Sequence, residues 1–133
     1  MSLLLNLVMT ARSDEAIHIE IVNFLRVALP HGSAVHHSLN AGRHKIGYRM
    51  KQVRMGMIAG WPDLEIFCPP KDWIAAIPWA PIFLEIKAAK GRLSDNQKNV
   101  HVLLRKLGNH VCVVRSVEEC AQELTAFVKL RAV

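Results

Sequence analysis

The sequence predicts a mixed α/β domain, with a four-stranded mixed sheet flanked by helices. Three observations carry that expectation. Short apolar runs with strand character recur at 34–39, 64–68, 82–87 and 110–114. Stretches of helical period separate or flank them. The chain has 133 residues, 51% apolar and 21% charged, which suits one domain (1–133) able to bury a core.

Ser13 or Asp14 can cap a first helix, whose buried stripe is Ile17, Ile21, Phe24, Leu25 and Ala28. Pro30, His31 and Gly32 stop it. Glu15 sits in the first turn, where the helix dipole favours an acid whatever else it does. His18, one turn on, reads as its polar neighbour. After the strand at 34–39, Asn40-Ala41-Gly42 opens an acid-free basic run: Arg43, His44, Lys45, Arg49, Lys51 and Arg54. Such a run can be no more than a solvated face. With its glycines and Tyr48 it also has the character of a loop tracking phosphates. His36, His37 and His44 lack the fourth ligand at a recognisable spacing that a zinc site requires.

Met50, Val53, Met57 and Ile58 mark a short helix before Gly60, and 64–68 is the second strand. The insertion 69–81, rich in proline and tryptophan, is expected to arch out and pack on the core or on a second subunit. Strand three is 82–87. A basic turn with Lys90 and Arg92 follows, then a helix opened by the S-x-x-Q capping box of Ser94 and Gln97. Its expected stripe is Val100, Leu103, Leu104 and Leu107, ended by Gly108. Strand four is 110–114. Ser116 caps a last helix that faces Val117, Cys120, Leu124, Phe127 and Val128 inward.

The formal charge of +6 favours a polyanionic partner, with nucleic acid foremost. Three widely spaced cysteines suggest neither disulfides nor thiolate zinc, so a reducing, cytoplasmic setting is expected. The apolar segment 1–12 is too short to span a bilayer and lacks signal-peptide features, so no membrane association is expected. Together with 69–81 it points to a homodimer.

The chemistry gathers between Gly60 and Lys87. Asp63 opens one strand, and Glu85 and Lys87 share a face near the end of another. If those strands are neighbours, two carboxylates and an amine meet on the rim of a sheet. Asp63, Glu85 and the Ile86 carbonyl would offer hard oxygens to Mg²⁺ or Mn²⁺, and Lys87 would steady the attacking water or the phosphate. Taken singly, Pro-Asp is a common turn dipeptide, Glu-Ile-Lys a common exposed strand end, and Gln97 is accounted for by the capping box. The ordered combination carries the signal.

The runs GWPDLEIF and IFLEIKAAKGRLSDNQKNVHVLLRKLGNHVCVVRSVEE resemble the VRR-NUC domain of the PD-(D/E)xK nuclease superfamily, over about residues 13–125. Val113-Val114-Arg115 and Ser116 stand in place of the name-giving Val-Arg-Arg, and His18 stands where a glutamine is more usual. The resemblance implies a restriction-endonuclease-like core, Asp63 and Glu85 as metal ligands, Lys87 as catalytic lysine, Gln97 beside the site and Glu15 as an auxiliary acid. It also implies a stand-alone, phage-type enzyme acting on DNA, including branched DNA such as a Holliday junction, in a bacterial or phage-infected cell. A non-catalytic DNA-binding module on the same fold, or a subunit of a larger repair or restriction assembly, are the competing readings.

Overall fold

The computed structural model describes residues 13–38 and 45–132. In chain order these form α1 (Asp14–Ala28), β1 (Ala34–His37), α2 (Ile46–Arg54), β2 (Leu64–Phe67), a 3-10 turn (Pro70–Asp72), β3 (Ile82–Ile86), α3 (Asp95–Lys106), β4 (His110–Val114) and α4 (Val117–Leu124). The four strands make one sheet in sequence order. β1 with β2 and β2 with β3 are antiparallel, whereas β3 with β4 is parallel. A parallel pair needs a crossover, and α3 supplies it. The mixed, helix-flanked sheet expected from the sequence is the one observed.

The sheet is the middle of three layers. Ile17, Ile21 and Leu25 of α1 and Cys120 and Leu124 of α4 cover one face, packing on Leu64, Ile66, Ile82, Leu84 and Ile86. Val100 and Leu104 of α3 cover the other, against Phe83, Val111 and Trp61. Alternation along β3 therefore sends Leu84 and Ile86 to one layer and Phe83 and Glu85 to the other. Each fully buried Leu or Ile is worth about 1.5–3 kcal/mol relative to exposure, so the larger layer is the main stabiliser.

Three helices begin on a serine whose hydroxyl accepts a backbone N–H: Ser13 from Ala16, Ser94 from Gln97 and Ser116 from Glu119, each at 3.1 Å. The capping box at Ser94 is complete, since Ser94 N–H also donates to Gln97 Oε1 at 2.9 Å. Arg131 satisfies the far end of α1 by donating to the carbonyls of Leu29 (2.6 Å) and Arg26 (3.1 Å).

Three local expectations are corrected. The basic run is not a loop where it is described: from Ile46 to Arg54 it is α2, a helix with no side-chain cap and no buried residue. It ends before Gly56, which takes φ 108°, so Met57 and Ile58 lie beyond the helix. On α3, Leu103 and Leu107 face outward, Leu107 at 69% exposure, and the buried positions are Val100, His101 and Leu104. The 3.6-residue period running from Gln97 through His101 to Leu104 sets that face. On α4, Val117 and Phe127 do pack inward against the core, half-buried, but the helix ends at Leu124, so Phe127 and Val128 reach the core from beyond it.

The 69–81 insertion packs on its own domain. Trp73 stacks on His110 and Phe127, with ring centroids 5.6 and 5.8 Å away, and its Nε1–H donates to the Ile77 carbonyl. Trp79 Nε1–H donates to the Cys68 carbonyl at 2.9 Å. The three cysteines are free and buried, and burial pushes the Cys112 and Cys120 thiols up to about 12, as befits small core residues. No helix among the described residues is long and apolar enough to cross a membrane.

Candidate active site

The β2–β3 register brings the acids together. Leu64 lies opposite Leu84 in an antiparallel ladder, so the next pair outward is Asp63 and Glu85. Asp63 is anchored there, because its Oδ2 accepts the Ile86 N–H at 2.7 Å. A strand residue sends its N–H and C=O to the same side, so the Ile86 carbonyl also points toward Asp63. Lys87 extends the β3–β4 ladder by one residue, donating its N–H to Val114 O at 3.1 Å. Alternation returns its side chain to the face of Glu85.

Glu85 is not the exposed strand-end acid that Glu-Ile-Lys commonly supplies. It is 1% exposed, and its Oε1 lies 3.1 Å from Nε2 of His101, which is 2% exposed. Burial pushes the Glu85 carboxyl up to about 9, helped by a hydrogen bond and the charge of Asp63 and opposed by Lys87. Burial also lowers His101, as does the charge of Arg105. Although the distance is that of an ion pair, both groups are therefore neutral at pH 7. With the Glu85 proton directed to Asp63, His101 Nε2–H donates to Oε1.

The loop after Lys87 is held from two sides. Ala88 N–H donates to Asp14 Oδ1 at 2.6 Å, at the start of α1. Arg115 Nη1–H donates to the carbonyls of Ala88 (2.6 Å) and Gly91 (2.7 Å) from the end of β4. The backbone entering Asp63 is fixed as well. Gly60 has φ 89°, and a Cβ there would lie 2.5 Å from the Asn96 carbonyl carbon. Only glycine lets this backbone press on the first turn of α3.

These ties frame a cleft of about 560 Å³ at the end of the sheet. Asp14, Glu15, His18 and Ile19 line it from α1, His37 from β1, Asp63, Glu85, Ile86 and Lys87 from the central strands, and Gln97 from α3. All six residues singled out from the sequence for catalysis or metal binding thus border one cavity. Gln97 serves both readings: its carbonyl oxygen is taken by the cap, which leaves its amide NH₂ for the cleft.

The basic residues are spread more widely. Lys45 precedes α2, and Arg49, Lys51 and Arg54 lie along it; Lys90 and Arg92 are in the turn after β3. Arg43 and His44 lie outside the described residues. The zinc constellation does not form: His36 contacts Glu65 at 3.2 Å, His37 Nδ1–H donates to Asp63 O at 3.1 Å, and His44 lies outside the described residues. Among the described residues, no three His, Cys, Asp or Glu side chains form a metal cage. A cation in the cleft would rest on two carboxylates completed by backbone carbonyl, water and phosphate oxygens.

Sequence reasoning missed four contributors. His101 hid behind Leu103 and Leu107, although its i+4 spacing from Gln97 was the available signal. Asp14 and Arg115, which hold the Lys87 loop, gave none, since their partners are backbone groups far along the chain. His37 enters through the edge strand, with its ring at right angles to His18, 4.7 Å between centroids. Burial and the neighbouring His37 lower the pKa of His18.

The family model for the VRR-NUC domain matches residues 10–118. Among solved structures, one titled "VRR_NUC domain protein" superposes with a TM-score of 0.67 at 20% identity, covering 88% of each chain. A second, titled "VRR_NUC domain", gives 0.52 at 20% identity, covering 86% of this chain and 96% of its own. No curated protein matches the sequence. The chain belongs to the VRR-NUC domain family, a nuclease-type DNA-processing domain.

Proposed function

We propose that this chain is a metal-dependent endodeoxyribonuclease that hydrolyses DNA phosphodiester bonds and prefers branched substrates such as a Holliday junction. The observation that carries this reading is the register that sets Asp63 directly across from a buried Glu85, with Lys87 on the same face. Like charges directly opposite in a ladder repel, so the pair needs a proton or a cation between its carboxyls. Asp63, Glu85 and the Ile86 carbonyl form an all-oxygen donor set, which fits Mg²⁺ or Mn²⁺. Such a cation supplies charge against the phosphate and acidifies the attacking water.

The chain's own residues do the rest. Lys87 brings a point charge with three donors to the scissile phosphate or the water. The Gln97 amide donates beside it, and Glu15 accepts a proton or orients water from the first turn of α1. Lys45, Arg49, Lys51 and Arg54, with Arg43 and His44 before them and Lys90 and Arg92 in the turn after β3, track the DNA backbone. A non-catalytic DNA-binding module is disfavoured, because an uncompensated acid pair beside phosphate opposes binding. The setting proposed is cytoplasmic, in repair or recombination, as a homodimer whose two sites suit paired strands.

The test is a Mg²⁺ cleavage panel of duplex, flap, fork and four-way-junction DNA. Lys87→Ala is expected to slow cleavage on the order of 100-fold or more, while DNA binding in EDTA holds. Wild-type rates from that variant would reject the site.

A further inference from the structure

Beside the carboxylate cleft lies a second groove of about 610 Å³, and Gln97 borders both. One wall is α2, where Ile46, Met50 and Val53 recur at i, i+4 and i+7 as an apolar stripe, none of it buried. Arg49 and Arg54 line the same groove, and among the described residues no acid does. An apolar stripe that no described residue covers, set between guanidinium groups, calls for an occupant with an apolar face and an anionic edge.

We propose that this groove receives an unpaired nucleotide of the DNA next to the bond being cut, its base against Ile46, Met50 and Val53 and its phosphates against Arg49 and Arg54. The proposal rests on the nuclease reading above. An unpaired strand offers base faces and phosphates together, whereas a duplex keeps its base faces stacked inside and shows only their edges in the grooves. Continuity through Gln97 puts such a nucleotide beside the carboxylates. Other occupants fit less well. A symmetric contact between two copies would bring the same basic, acid-free lining from each copy together. Residues 1–12 are apolar but carry no acid for the guanidiniums.

The test is fluorescence anisotropy in EDTA, where nothing is cut. The probes are a labelled duplex with one unpaired thymidine and the same duplex with an abasic residue at that position. Wild type is expected to bind the thymidine probe about tenfold more tightly, the range for one stacked or buried base. Met50→Asp, on a helix with no buried residue, is expected to bring that ratio close to one, with helicity by circular dichroism unchanged. Arg54→Ala is expected to weaken both probes alike, as a phosphate contact should. Equal binding of the two probes by wild type, or an unchanged ratio in Met50→Asp, overturns the proposal. So does sedimentation in which Met50→Asp only splits a dimer while the ratio holds, because the groove would then join two copies. A preserved ratio without Mg²⁺-dependent cleavage of any substrate would instead defeat the nuclease reading and leave the groove standing.

Discussion

The two faces of the sheet are built differently. The α1–α4 face is wide and apolar at its centre, with side chains from all four strands packed beneath the two helices. The α3 face is narrow, and at its edge the apolar layer gives way to Glu85 and His101, two buried polar groups satisfied by each other and by Asp63. The first face holds the fold together. The second gives up apolar contact and places a raised-pKa carboxyl where a cation could replace its proton. Along β3 the main apolar layer and the buried acid thus lie on opposite sides, one residue apart, while α1 adds Asp14, Glu15 and His18 to the cleft at the strand end.

That division can be broken from either side. Leu84→Ala opens a cavity in the wide face and is expected to cost about 2–5 kcal/mol in chemical denaturation; a loss below about 1 kcal/mol would mean this face is not the main stabiliser.

On the other face, a cation bound as proposed would have to displace the proton that Glu85 holds below about pH 9. Mn²⁺ calorimetry near neutral pH in buffers of different ionisation enthalpy is expected to show about one proton released, with affinity rising as pH climbs. A buffer-independent enthalpy would contradict this. The same group sets a stability slope without metal. Its folded pKa is raised, so its contribution is full below 4.5 and is lost as pH rises through about 9. Glu85→Gln is expected to flatten that decline between about pH 5 and about pH 8.

The smallest expected effect is that of His101→Leu. The narrow face should keep or gain stability, because a leucine joins Val100 and Leu104, while Mn²⁺ affinity drops about tenfold through loss of the donor that orients Glu85. Unchanged affinity would make His101 a packing residue only.

Much of this was legible beforehand. The apolar runs and serine caps marked strands and helices, and pairing the second and third runs was enough to suggest that Asp63 meets Glu85. What stayed hidden has physical causes. α2 has neither a capping side chain nor a buried stripe, so nothing marked its start at Ile46, and the short helix expected from Met50 to Ile58 was set one turn too late. Leucine content pointed to Leu103 and Leu107, but a helix face is chosen by the layer it meets, and Phe83 and Val111 select Val100 and Leu104 with His101 between them. The ties from Asp14 and Arg115 end on backbone atoms, which no side-chain pattern announces.

Those two ties also impose an order of events. The Ala88 N–H reaches an acid 74 positions earlier, and its carbonyl reaches an arginine 27 positions later. Closing such loops costs chain entropy that only the surrounding packing repays. During synthesis, Asp63, Glu85 and Lys87 are all made before Arg115. The lysine's loop gains its second tether only when β4 and Arg115 just beyond it have docked. Assembly of the cleft is thus a late step, and a partly synthesised chain carries the acids without the finished site.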